Sequence, residues 1–158
     1  MIQEQRTNNS VRMPISVSVI TNEDDFDEVS PMVLDAWQTP PNPQLKHFRP
    51  TFPTRAESVE YGKQRSLQRF REKDPKLFML KAVDSDTNAI VGFAQWYVND
   101  KLDPYGERTV ATWHPEGSEE REFAERFING LWGFIGKRVT APHMGKVVGY
   151  NIGGRRRC

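Results

Sequence analysis

The hydrophobic pattern is densest over residues 77–98, where two apolar runs flank the polar stretch from Asp84 to Asn88. Both runs have strand length, and the second is rich in β-branched and aromatic residues. The side chains of residues 84–88 bond their own backbone in tight turns, so the pattern predicts a β-hairpin. Side chains alternate faces along a strand. Phe78, Leu80 and Ala82 therefore share one face, and Leu77, Met79 and Val83 the other. In the second run Ile90, Ala94, Trp96 and Val98 oppose Ala89, Val91, Phe93 and Tyr97. Both faces are mostly apolar, and such a sheet requires cover on both sides, usually by helices. Lys81 and Gln95 break the pattern and are expected at a cleft or an edge.

Upstream, Ile15, Val17 and Val19 alternate with Ser16 and Ser18, the pattern of a half-buried strand over residues 15–20. Residues 21–25 supply cap candidates and first-turn acids. Phe26, Val29, Val33, Ala36 and Trp37 then recur at helical spacing. Pro31 falls inside this helix, where a proline costs about 3 kcal/mol. The helix is expected either to bend there or to restart with Ser30 as its cap. Pro40, Pro41, Pro43, Pro50 and Pro53 exclude a continuing helix over residues 39–53, yet Leu45, His47, Phe48 and Phe52 lie among them. An ordered loop that packs on the body is predicted, and long loops in compact domains are often functional.

Thr54-Arg55-Ala56-Glu57 reads as a capping box. It opens a helix with a weak apolar face, Val59, Gly62, Leu67 and Phe70, and a charged face that reads as solvated. Asp74-Pro75 ends it. Residues 99–117 form a polar connection. Ser118 then caps a last helix whose stripe, Phe123, Phe127, Leu131, Phe134 and Ile135, is widened by Ala124, Ile128 and Trp132. That is the pattern of a buried core helix. Gly130, Gly133 and Gly136 each cost about 1 kcal/mol against alanine, which points to close packing as compensation. Residues 146–150 begin like a further strand, and no internal repeat is present.

With 158 residues the chain has the length of one domain with a real core. Its 37% hydrophobic and 27% charged residues suit a soluble globular protein. A net charge of +1 argues against nucleic-acid binding through bulk charge. Arg155, Arg156 and Arg157 read as a frayed basic tail or as a contact for phosphate or RNA. The single cysteine, Cys158, builds neither a disulfide framework nor a cysteine zinc site, so a reducing, cytoplasmic setting is expected. No apolar run approaches the roughly 20 residues of a membrane helix, and residues 1–13 do not read as a signal peptide. His47, His114 and His143 stand singly, with no metal-ligand pair or triad; they are expected at the surface, and no metal is expected. The organisation expected is a disordered arm over 1–14, one α/β domain over 15–150 and a basic tail over 151–158.

This order resembles the N-terminal half of the GNAT N-acetyltransferase superfamily, particularly its fungal GNAT-like members. Ser16 to Val19, followed by Asp24-Asp25-Phe26 and Ala36-Trp37, is similar to the first strand and helix. Residues 48–52 are similar to the loop between the first two helices. Lys81-Ala82-Val83-Asp84 and Ile90-Val91-Gly92-Phe93-Ala94-Gln95-Trp96 are similar to the second and third strands. Pro115-Glu116-Gly117 and the helix after it resemble an insertion of the fungal members, and His143-Met144-Gly145-Lys146 the lead-in to the fourth strand.

The resemblance implies a GNAT-like α/β fold: a mixed, mostly antiparallel sheet flanked by helices, incomplete on its C-terminal side. It implies an acyltransferase that moves an acetyl group from acetyl-CoA, as co-substrate, to a small-molecule amine acceptor. By position it makes Trp37, Phe48, Phe52 and Trp96 substrate-binding candidates, each of which also suits a core. It assigns no catalytic and no cofactor-binding residue. The family binds the CoA pyrophosphate through an Arg/Gln-x-x-Gly-x-Gly/Ala loop after the fourth strand, whose N–H groups cradle the phosphates. Residues 149–157 hold glycines and arginines, but not at that spacing. The chain therefore also reads as a truncated, non-catalytic relative. Such a protein would act as an interaction module, self-associating or binding a partner through an open sheet edge.

Overall fold

The structure is a computed structural model that describes residues 14–99, 108–139 and 142–150. Its elements are β1 (Ile15–Val19), α1 (Asp25–Gln38), α2 (Leu45–Phe48), α3 (Arg55–Glu72), β2 (Leu77–Asp84), β3 (Ile90–Asn99), α4 (Glu119–Gly136) and β4 (His143–Tyr150). The expected arm before Pro14, the basic tail over 151–158 and part of the polar connection lie outside the described residues. The fold is mixed α/β, with an antiparallel sheet ordered β1-β2-β3-β4 and helices beside it.

The hairpin of β2 and β3 forms where the apolar runs predicted it. The Asp84 carboxylate accepts from the backbone N–H of Asp86 at 2.8 Å, and the N–H of Asn88 donates to the Asp84 carbonyl at 2.7 Å. Asn88 takes the left-handed conformation, φ 57°, which asparagine tolerates. The register slips between Ala82 and Val83, a bulge beside Gly92. A Cβ on Gly92 would stand 3.2 Å from that of Ala82, so the strands approach closely there. The Thr54 capping box forms in full, and Ser118 Oγ accepts from the Arg121 N–H at the start of α4.

The core lies between one sheet face and the pair α1 and α3. Ile20, Phe26, Val29, Met32, Leu67, Met79 and Phe93 are buried together, with Val33, Phe70, Leu77 and Ile90 against them. Phe26 meets Phe70 and Phe93 edge-on, at 5.6 and 6.4 Å between centroids. The two residues that break the strand pattern belong to this face. Lys81 Nζ donates to Asp25 at 2.6 Å, and buried Gln95 accepts from Arg69 at 3.0 Å. They tie the sheet to the N-terminus of α1 and to the last turn and a half of α3.

Several expectations give way to the packing. β1 is exposed along its whole length, Val17 to 66%, and is not half-buried. Its register pairs Val17 with Ala82 and Val19 with Leu80, which points the apolar set away from α1 and α3. Phe78 and Met144 are exposed as well, so the helical core covers one apolar sheet face and the other shows apolar side chains. α1 runs unbroken through Pro31, and Ser30 is a buried residue in it, not a cap. Phe26, Val29, Met32 and Leu34, buried on both sides of the proline, hold the helix together.

α4 departs furthest. Phe123, Phe127, Leu131 and Phe134 are exposed, and the small side of the helix, Ala124 and Ile128, is buried instead. A Cβ on Gly130, Gly133 or Gly136 would meet nothing within 4 Å, so no close packing offsets those glycines. β4 begins at His143, ahead of the expected strand start, and pairs with β3 from Asn99↔His143 to Gly92↔Tyr150. β4 thus covers one side of β3, and the outer strands of the described sheet are β1 and β4.

Candidate functional site

A cleft opens beside the proline-rich segment, between the end of α1, the single turn of α2 and the start of α3. Local chemistry orders this segment. Asn42 Oδ1 accepts from the Gln44 N–H at 3.0 Å and starts the turn. Arg55 pairs with Asp35 at 2.8 Å and fixes the beginning of α3 against α1. On its far side α2 rests on α4: His47 lies 4.7 Å from Phe123 and Phe48 lies 5.4 Å from Phe127, centroid to centroid. Trp113 Nε1 donates to the Lys46 carbonyl at 3.2 Å. The loop is thus an ordered element clamped on both sides, as its apolar content required.

The cleft holds about 500 Å³, within the size range of small-molecule sites. Pro41, Pro43, Leu45, Pro50 and Phe52 give it apolar walls; Lys46, Arg49, Asn42, Gln38 and Ser58 supply polar groups. No acidic residue lines it. Arg49 is half-buried, and its Nη2 reaches only the Ser58 carbonyl, at 3.5 Å. Burial lowers the pKa of Arg49; nearby Tyr61 opposes that shift, and the charge of Arg65 adds to it. Arg55, Arg71, Arg121, Lys63 and Lys81 each pair with a carboxylate, and among the described residues Arg49 has none within ion-pair distance.

His47 and His114 are not isolated surface residues. They lie near enough for each charge to oppose the other, and both are half-buried. Nδ1 of His47 and Nε2 of His114 are buried with no partner among the described residues. Burial, then Lys46, then His114 lower the pKa of His47 from its ordinary 6.5. The pair therefore belongs to the contact between α2 and the segment leading into α4.

Of the four substrate-binding candidates, Phe52 lines the cleft, with its ring 5.1 Å from that of Tyr61. Phe48 lies on the same helical turn as Leu45 and Lys46 but turns toward α4. Trp37 is exposed at the end of α1, next to Gln38 of the cleft. Trp96 stands apart: its register partner is Phe78, on the sheet face opposite the core. The structure thus gathers Phe52, Phe48 and Trp37 around one segment and leaves Trp96 elsewhere. Lys46 and Arg49 were not singled out from the sequence. Their signal was two cations set among prolines and aromatics in a loop already marked by its length.

No helix among the described residues is long and apolar enough to cross a membrane. No family model matches the chain, and neither a curated protein nor a solved structure matches it.

Proposed function

We propose that the chain carries a GNAT-like N-acyltransferase fold and moves an acetyl group from acetyl-CoA to a small-molecule amine. One observation supports this most: the element order. A strand is followed by helices around a proline-rich segment, and then by an antiparallel β2-β3-β4 with β1 beside β2. The family-like text of residues 90–96 falls on β3, an interior strand. This is a warrant of fold and sequence likeness, and the chemistry needs its own test.

In such a transfer the amine nitrogen attacks the thioester carbonyl. The C–N bond forms, the C–S bond breaks, and the CoA thiolate leaves and takes up a proton. A base or a water chain accepts the proton lost by the nitrogen. Backbone N–H groups of the fourth strand stabilise the oxyanion. No described side chain is assigned the role of base. The residues after β4, where the family binds the pyrophosphate, do not carry its glycine spacing, so none is assigned to the CoA.

The test is calorimetric titration with acetyl-CoA, followed by mass spectrometry of amine mixtures incubated with protein and acetyl-CoA. Saturable binding with an acetylated product is expected. No heat at millimolar acetyl-CoA, together with no product, would overturn the proposal.

A second reading, a non-catalytic module, draws on the uncovered sheet face. Ile15, Val17, Val19, Phe78 and Met144 are exposed there, and the register also places Lys146 of β4 on this face, opposite Trp96. Exposed apolar patches of this kind mark interaction sites. Such an exposed apolar row suits a second copy of the same chain, paired about a two-fold axis.

A further inference from the structure

We propose that the cleft at α2 is a binding site for a small organic carboxylate with an apolar body, its carboxylate held by Arg49 and its body against Phe52 and the proline walls. The proposal stands on the cleft alone and does not depend on acyl transfer.

The charge arrangement leads to the ligand. A cation removed from water is costly unless an anion offsets it. Arg49 is half-buried, and among the described residues it bonds only a neutral carbonyl, at the long distance of 3.5 Å, and has no acid beside it. Lys46 lines the same cleft, and Arg65 lies close enough to raise the local positive potential. The space in front of Arg49 is therefore set for negative charge. The planar fork of a guanidinium matches a carboxylate through two parallel hydrogen bonds. The lining then separates carboxylate from phosphate. Five of the wall residues are apolar, and Gln38, Asn42, Thr51 and Ser58 add neutral polar groups. A doubly charged, strongly hydrated phosphate would lose water that this wall does not replace. A singly charged carboxylate on an aliphatic or aromatic body fills both halves of the cleft.

The volume of about 500 Å³ accommodates such a molecule with room to spare. Ligand and cleft are small, so affinity is expected in the range of about 0.1–10 mM for a probe with roughly ten heavy atoms.

The experiment is a titration of the full chain with phenylacetate and hexanoate, followed by amide chemical shifts. Inorganic phosphate and the neutral amide phenylacetamide serve as comparisons. Saturable shifts at residues 41–58 are expected with both carboxylates, and little response with phenylacetamide. Arg49→Gln should weaken binding at least about tenfold, Arg49→Lys less, and Phe52→Ala should weaken phenylacetate in particular. Arg71→Gln, at an arginine paired with Glu23 and outside the cleft lining, should leave binding unchanged. Far-ultraviolet circular dichroism checks that each variant is folded; if Arg49→Gln is not, Arg49→Lys and the phenylacetamide comparison decide. Carboxylate binding that survives in folded Arg49→Gln would overturn the proposal. So would phosphate binding as tightly as phenylacetate, or shifts that do not saturate.

Discussion

Ser30 occupies the middle of α1, one residue before Pro31, buried and with no partner for its hydroxyl among the described residues. A buried polar group without a hydrogen bond costs about 1–3 kcal/mol, and alanine is also the better helix former. Ser30→Ala should therefore raise stability by about 1 kcal/mol, read as a higher urea midpoint with an unchanged slope. No change, or a loss, would mean that the hydroxyl has a partner in solution. The sequence marked this position through the proline and left a bend or a restart capped by Ser30 as alternatives; the restart does not occur. Whether a serine caps or sits inside depends on whether the chain before it is already helical, and Asp25 to Val29 are, held by Phe26 and Val29 in the core. At Lys81 and Gln95 the opposite happened. The breaks in pattern were visible from the residues, and their partners, Asp25 and Arg69, were not, because each lies far away in the chain.

α4 shows what a helical element does when its tertiary partner differs from the one its stripe suggests. Its small side is buried, and its three glycines face open space. Gly130→Ala and Gly133→Ala should each stabilise the protein by about 1 kcal/mol, measured by thermal or urea unfolding. Destabilisation by either would show that the glycine backbone is needed where it is. The contact of α2 with α4 carries its own pH dependence. His47 has a folded pKa below its ordinary 6.5, chiefly through burial, so the folded state binds fewer protons there than the unfolded one. Its contribution is fully present above pH 6.5 and is lost as the pH falls through the folded pKa. Acidification from about pH 7.5 to about pH 5 should loosen this contact, seen as a change in Trp113 emission with a histidine-like midpoint. His47→Phe should remove that transition; its persistence would place the titration elsewhere.

At the scale of the whole molecule, the helical core covers one sheet face and apolar side chains show on the other. A patch of four strands by five residues spans roughly 300 Å² in projection at sheet spacings of ~4.8 and ~3.3 Å. Two such faces would bury on the order of 1,000 Å² of accessible surface, the low end for a specific pair. Sedimentation velocity should thus show a weak, concentration-dependent dimer, and Val17→Lys with Phe78→Lys should return it to monomer. A monomer at every concentration would remove self-association from the reading of this face. The same variants should leave acetyl-CoA binding intact if the two proposed roles are separate.

What the sequence determined by itself was local. The Asp84 turn, the Thr54 capping box, the Ser118 cap and the succession of strands and helices follow from residues within a few positions of one another, whose hydrogen bonds form in any context. A long proline-rich loop with aromatics announced an ordered segment that packs on the body. What only the tertiary structure decided was which apolar surface meets which. Hydrophobic attraction has no direction, so the alternation in β1 and the stripe of α4 state how much surface can be buried and not where. The register of β1 on β2 and the seat of α2 on α4 made that choice. The approach of the proline-rich segment to α3 also turned Arg49 into a half-buried cation facing a cleft, a property that no reading of its sequence neighbours contains.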